Sequence, residues 1–144
     1  MKTIYFAHPF KTWKTQKERE ITKILESRNY HVINPFIEEN RLNKKYGVSN
    51  YYDSPSRSFI EEIVHNDYSL LKKCDEYFGW FPSKKDPIGT TFELCWAKML
   101  NKNITVLCYK PHPFLLFFSN KFYLGFEAFK KDLPLEIKIE ENIS

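Results

Sequence analysis

Four short apolar, β-prone runs separated by stretches of helical periodicity constrain this chain more than any other feature. They are residues 3–7 (TIYFA), 31–34 (HVIN), 76–81 (EYFGWF) and 104–109 (ITVLCY). Each is strand-length and is closed by a proline-containing break: Pro9, Pro35, Pro82 and Pro111. Between them, residues 14–28 carry Ile21, Ile24 and Leu25 on one helical face. Residues 57–73 carry Phe59, Ile63, Leu70 and Leu71, with Ser54 or Ser56 as cap, and residues 90–101 carry Phe92, Trp96, Met99 and Leu100. Strand–helix alternation of this kind predicts an α/β fold: one parallel sheet of four to five strands with helices on both faces, in a single domain over residues 1–144. Residues 37–55 read as a long irregular segment of the kind that forms lids. Residues 114–132 are aromatic-rich and read as helical in pieces, and residues 135–140 (LEIKIE) alternate like an edge strand.

Composition narrows the function. The chain has 144 residues, 42% apolar and 28% charged, which suits a globular domain. It has only 4 glycines and neither G-x-G-x-x-G nor GK[ST], so a glycine-rich phosphate loop is excluded. The net charge of +4 comes from lysine pairs with acids beside them, which read as solvated faces and not as a surface for nucleic acid. No apolar run approaches a membrane span, and the first residues lack the pattern of a secretion signal, so a cytoplasmic protein without a membrane partner is expected. Cys74, Cys95 and Cys108 are odd in number and form no C-x-x-C, which predicts buried free thiols. His8, His31, His65 and His112 have no ligand-like spacing, so neither a metal nor a cofactor is expected.

In a parallel α/β sheet the ligand site lies beyond the carboxyl ends of the strands. That rule gathers His8, Pro9, Phe10, Asp86, Gly89 and the start of the third helix. Glu93 is expected in the first turn of that helix, facing the positive end of its dipole and therefore ionised. Asp86 lies in the preceding loop and Asp67 near the end of the helix before. One nucleophilic carboxylate and one acid able to move a proton are the minimal set for cleaving a glycosidic bond. The same residues admit a plainer reading, with Glu93 as a capping-box partner and Asp67 as an exposed helical residue.

Several segments together carry a resemblance. Residues 5–7 (YFA), Asn66-Asp67, Cys74-Asp75, residues 86–97 (DPIGTTFELCWA) and Asn101-Lys102-Asn103 occur in the order and at the intervals of the nucleoside 2-deoxyribosyltransferase family, over about residues 3–110. The chain resembles that family, which includes related deoxynucleoside monophosphate N-hydrolases, and the resemblance implies a flavodoxin-like (Rossmann-like) sheet. It implies Glu93 as the nucleophile that forms a covalent glycosyl-enzyme and Tyr5 as the tyrosine that orients it. It implies Asp67 and Asp86 as acids near base and sugar, one of which protonates the leaving base. Arg57 matches an arginine at the head of its helix, able to reach a carboxylate or a phosphate. Asn120 is the candidate for an asparagine donated by a neighbouring subunit, which makes a homo-oligomer the expectation. The implied partners are a small-molecule nucleoside or nucleotide and a free nucleobase.

The departures bear on substrate. Monophosphate hydrolases of this kind carry a glycine- and serine-rich loop after the first strand, whereas this chain has His8-Pro9-Phe10-Lys11. Thr90, Thr91 and Lys11 remain as phosphate contacts, but the pattern favours an unphosphorylated nucleoside. Phe10, Trp13, Tyr51, Tyr52 and Trp80 are candidates to line a base pocket. Two other readings use the same features. One is an NAD-cleaving enzyme like Toll/interleukin-receptor domains, and the other is a nucleotide sensor without chemistry.

Overall fold

The computed structural model describes residues 1–49, 56–83 and 87–136. Strands β1 (Lys2–Ala7), β2 (Tyr30–Ile33), β3 (Glu76–Phe81), β4 (Asn103–Cys108) and β5 (Lys121–Leu124) form one parallel sheet in the order β2-β1-β3-β4-β5. This is the flavodoxin-like order, and its direction switches between β1 and β3. The register pairs Tyr5 with Tyr77 and Ala7 with Gly79, so the carboxyl ends of these two strands lie side by side.

Alternation along the strands feeds two cores. Tyr5, Ala7, Tyr77 and Val106 pack with α3 (Arg57–Lys73), α4 (Ile88–Met99) and α5 (Pro113–Phe118). Ile4, Phe6, Phe78 and Leu107 pack on the other face with α1 (Gln16–Ser27) and α6 (Phe126–Lys130). Buried on both faces, β3 is enclosed at every position, which is why its sequence is a continuous apolar run. Cys74 and Cys108 are buried, Cys95 is half-buried, and all three are free.

Three expectations are corrected. Residues 37–55 are not irregular throughout, because α2 (Pro35–Lys45) occupies their first part. Asn34 caps it, its Oδ1 accepting from Phe36 N at 3.2 Å, and Pro35 takes the first helical position. The proline that ends β2 therefore also begins a helix. Residues 50–55, with Tyr51 and Tyr52, lie outside the described residues. Within the segment 114–132, Lys121–Leu124 is a strand, and it forms the sheet edge assigned above to residues 135–140. Leu135 gives one backbone hydrogen bond to Phe122 O (2.7 Å), but Leu135 and Glu136 form no strand, and residues 137–140 lie outside the described residues. Finally, α4 buries Thr90, Leu94 and Ala97, whereas Phe92 and Met99 are exposed. Phe92 lines the cavity and Met99 faces solvent, while Trp96 and the residue after the helix, Leu100, pack against the core partly buried. Among the described residues no helix is long and apolar enough to cross a membrane.

Candidate active site

Helical stripes bring three carboxyls to one place. The buried stripe of α3 reads Phe59, Ile63, Asp67, Leu71, each four residues after the last. The buried stripe of α2 reads Phe36, Glu39, Leu42. In each, an acid stands where packing alone calls for a hydrophobe, and a buried acid without a cation is costly. Glu93 joins them from α4. The three line a cavity of about 470 Å³ beyond the carboxyl ends of β1 and β3. Its walls include Phe10, Phe36, Ile63, Val64, Phe92 and Trp96. That size suits a small ligand largely enclosed by apolar surface.

The start of α4 is anchored to β3. The Tyr77 hydroxyl donates to Thr90 O at 2.9 Å, and the Thr91 hydroxyl donates to Pro87 O at 2.7 Å. Gly79 makes room for Tyr77, since a Cβ there would lie 2.6 Å from Tyr77 Oη. Tyr5 and Tyr77 stack with centroids 6.4 Å apart. Gly89 lies beside the nucleophile candidate, its Cβ direction 3.7 Å from Glu93 Oε1.

The polar atoms of this cavity are under-satisfied. Tyr5 Oη, Glu39 Oε2, Asp67 Oδ1, Thr90 Oγ1, Glu93 Oε2 and the Asn66 amide nitrogen are buried with no hydrogen bond of good geometry. An unpartnered buried polar group costs roughly 1–3 kcal/mol, and four of these six belong to residues that line the cavity, Glu39, Asp67, Thr90 and Glu93. Glu93 as a residue is half-buried, yet its Oε2 is fully enclosed. Burial, reinforced by Asp67, pushes its carboxyl well above the usual range, while Tyr5 pulls it down. Burial and then the Glu93 and Asp67 charges hold the Tyr5 hydroxyl above the usual phenol range. Burial and the neighbouring Glu39 raise Asp67, and burial raises Glu39.

The expectation that the helix dipole governs Glu93 is corrected: burial is the dominant influence on its carboxyl. Glu93 is the sixth residue of α4, which begins at Ile88. It lies beyond the first turn, where the dipole acts, and desolvation dominates.

No family profile matches this chain, and no curated protein matches it by sequence. Solved structures do. A 2-deoxyribosyltransferase from Bacillus psychrosaccharolyticus superposes with a TM-score of 0.67 at 16% identity, covering 95% of this chain and 99% of that one. The CMP N-glycosidase of Clostridium botulinum superposes with a TM-score of 0.58 at 20% identity, covering 92% and 95%. A 2-deoxyribosyltransferase from Leishmania mexicana gives a TM-score of 0.51 at 14% identity, covering 76% and 66%. This chain shares their fold.

The remaining site candidates separate around this cavity. His8, Phe10, Gly89 and Thr90 line it with Glu93 and Asp67. Tyr5 lies beneath, fully buried. The His8 ring is engaged within the chain: Nδ1 meets Thr12 Oγ1 at 2.7 Å, and Nε2 faces Asn34 Oδ1 and Glu18 Oε2, each at 3.3 Å. Burial lowers its pKa to about 4, so the ring is neutral, and these contacts tie the loop after β1 to α1 and to Asn34 at the start of α2; burial also raises Glu18. Thr91 points to the opposite side of α4, into a second cavity with Cys95, Cys108 and His112. Arg57 is exposed and paired with Glu61 at 2.8 Å, away from the cavity. Asn120 sits at the amino end of β5, at the far end of the sheet, where its Oδ1 accepts from Ile104 N at 2.8 Å. Asp75 likewise serves the amino ends, its Oδ2 accepting from Thr3 N at 2.8 Å. Trp80 packs in the core on the α1 face and Trp13 against Phe36. Asp86 lies outside the described residues. Among the described residues, no group of three or more His, Cys, Asp or Glu is arranged to hold a metal ion.

Sequence reasoning missed Glu39, Phe36 and Ile63 as residues that line the cavity. For Glu39 the signal was present as an acid at the central position of the stripe Phe36, Glu39, Leu42, legible once Asn34-Pro35 is read as a helix start.

Proposed function

We propose that this protein cleaves the N-glycosidic bond of a nucleoside, preferentially a 2-deoxynucleoside, with Glu93 as nucleophile, and passes the sugar to a second nucleobase or to water. The observation that carries this reading is the convergence of Glu93 and Asp67 on one apolar cavity with Tyr5 buried beside Glu93, each with an unpartnered buried polar atom. The likeness in fold to a 2-deoxyribosyltransferase and a CMP N-glycosidase supports it.

In the first step Glu93 attacks the anomeric carbon while the bond to the base breaks. Asp67, held protonated by burial, gives its proton to the departing base. Tyr5 steadies the Glu93 carboxylate, and its hydroxyl favours the ionised form that attacks. Phe10, Phe36 and Trp96 offer faces against which a base stacks and from which water is excluded. In the second step an incoming base or water attacks the sugar and releases Glu93.

Among the described residues no lysine or arginine lines the cavity, which supports an unphosphorylated substrate over a nucleoside monophosphate. Self-association fits the exposed apolar residues Ile60, Val64 and Tyr68 on α3 and Phe92 and Met99 on α4, of which Val64 and Phe92 line the cavity. Three free cysteines accord with a reducing, cytoplasmic setting.

The test is base release from a panel of deoxynucleosides and their monophosphates, with and without a second free base, for wild type and Glu93→Ala. Exchange of bases lost in the variant identifies a transferase, and release without exchange identifies an N-hydrolase. Absence of turnover on every substrate overturns the proposal. Nicotinamide release from NAD, or ligand-induced thermal stabilisation without turnover, then identifies the competing enzyme or sensor.

A further inference from the structure

Glu39 enters the cavity from α2 and Asp67 from α3, where these two helices pack together. The residues are 4% and 6% exposed, and each keeps one oxygen without a hydrogen-bond partner. The titratable groups around them are Glu93 from α4, Tyr5 from β1 and His8 at the end of β1, whose ring is neutral and engaged elsewhere. On its own helix Glu38 pairs with Arg41 on the solvent side. Among the described residues no lysine or arginine lines the cavity. Two adjacent buried carboxyls, with no lysine or arginine among the described residues that line their cavity, do not both ionise readily, so they share a proton.

We propose that Glu39 and Asp67 act as one proton-sharing pair, in which Glu39 is the positioning residue that keeps a proton on Asp67 for the departing base. The proposal rests on the glycosidic-cleavage reading above. As the Glu93 carboxylate bonds to the anomeric carbon, the carbon–nitrogen bond breaks and its electron pair stays with the base. The pair's proton passes to that nitrogen. The negative charge that Glu93 loses on forming the ester reappears on the pair, so the charge inside the cavity stays constant. In the second step the acceptor's proton returns to the pair, the acceptor bonds to the anomeric carbon, and Glu93 leaves as a carboxylate. An apolar cavity that tolerates little change in charge suits this exchange.

Two measurements test the pair. In the first, pH-dependent infrared spectra resolve the carbonyl band of the buried protonated carboxyl, assigned to Asp67 by its loss in Asp67→Asn. In Glu39→Gln that band is expected to titrate at least one pH unit lower than in wild type, and an unchanged midpoint overturns the proposal. In the second, Glu39→Gln is expected to slow base release from ordinary deoxynucleosides at least tenfold. For a 7-methylguanine deoxynucleoside, whose cationic base leaves without a proton, the slowing is expected to be at least tenfold smaller. Equal slowing of both substrates overturns the proposal. If glutamine impairs folding, Glu39→Met, which fills the same volume without a carboxyl, replaces it with the same expectation of a midpoint at least one pH unit lower, and an unchanged midpoint overturns the pairing. Absence of base release in wild type defeats the glycosidic reading, while the infrared titration still judges the pair.

Discussion

Replacing Glu39 by glutamine is expected to stabilise the protein above neutral pH. Glu39 is nearly enclosed, faces Asp67 and Glu93, and meets no cation among the described residues that line its cavity. Burial raises its pKa from the ordinary 4.5 to about 7. A folded-state pKa above the unfolded value means that the stabilising contribution is complete below about pH 4.5 and is lost as pH rises through 7. Forcing such a carboxyl to ionise costs about 3 kcal/mol. Glutamine keeps the shape and stays neutral, so the stability of Glu39→Gln relative to wild type is expected to rise by about 3 kcal/mol between pH 4 and pH 8. Urea unfolding at a series of pH values measures this directly through the midpoint at constant slope. A stability difference that does not change with pH, or that favours wild type increasingly at high pH, would refute the reasoning. It would mean that Glu39 is solvated or paired with a cation.

Three further substitutions separate chemistry from packing. Tyr5→Phe removes a buried hydroxyl that completes no good hydrogen bond, so stability is expected to rise by about 1–3 kcal/mol while base release falls roughly tenfold or more; unfolding and turnover measured on one preparation decide between this and a purely structural tyrosine, whose loss would destabilise. Gly79→Ala places a Cβ 2.6 Å from Tyr77 Oη, and thermal unfolding is expected to show a loss of about 1–3 kcal/mol from overpacking. Asn120→Ala removes the acceptor for Ile104 N and is expected to cost about 1–2 kcal/mol in denaturant unfolding with turnover per folded molecule unchanged. Lost turnover at unchanged stability would instead point to the intersubunit role implied by the family resemblance.

The parts of this fold legible in the sequence are those in which one periodicity dominates. TIYFA, EYFGWF and ITVLCY are largely buried on both faces and carry a strong apolar signal, and α1 and α3 show clear stripes. Two elements were not legible for definable reasons. Most of α2 is polar, and its helix start coincides with the proline that ends β2. β5 is four residues long and sits among aromatics that suit a helix equally well. Losing α2 meant losing Glu39, and with it the pairing that governs Asp67. The motif around Glu93 located the cavity, but the influence that dominates its carboxyl was misjudged, because the dipole argument needs only a position in a helix whereas desolvation depends on what α2, α3 and β1 place around it.

The central claim, that Glu93 bonds covalently to the sugar, is tested most directly by trapping that bond. Incubation with a 2-fluoro-2-deoxynucleoside slows breakdown of a glycosyl-enzyme, and peptide mass spectrometry then locates the adduct. The account predicts one fluorodeoxyribosyl group on the peptide containing Glu93, formed with release of one base and absent from Glu93→Gln. Base release without any adduct, or an adduct on Asp67 or Glu39, would contradict it.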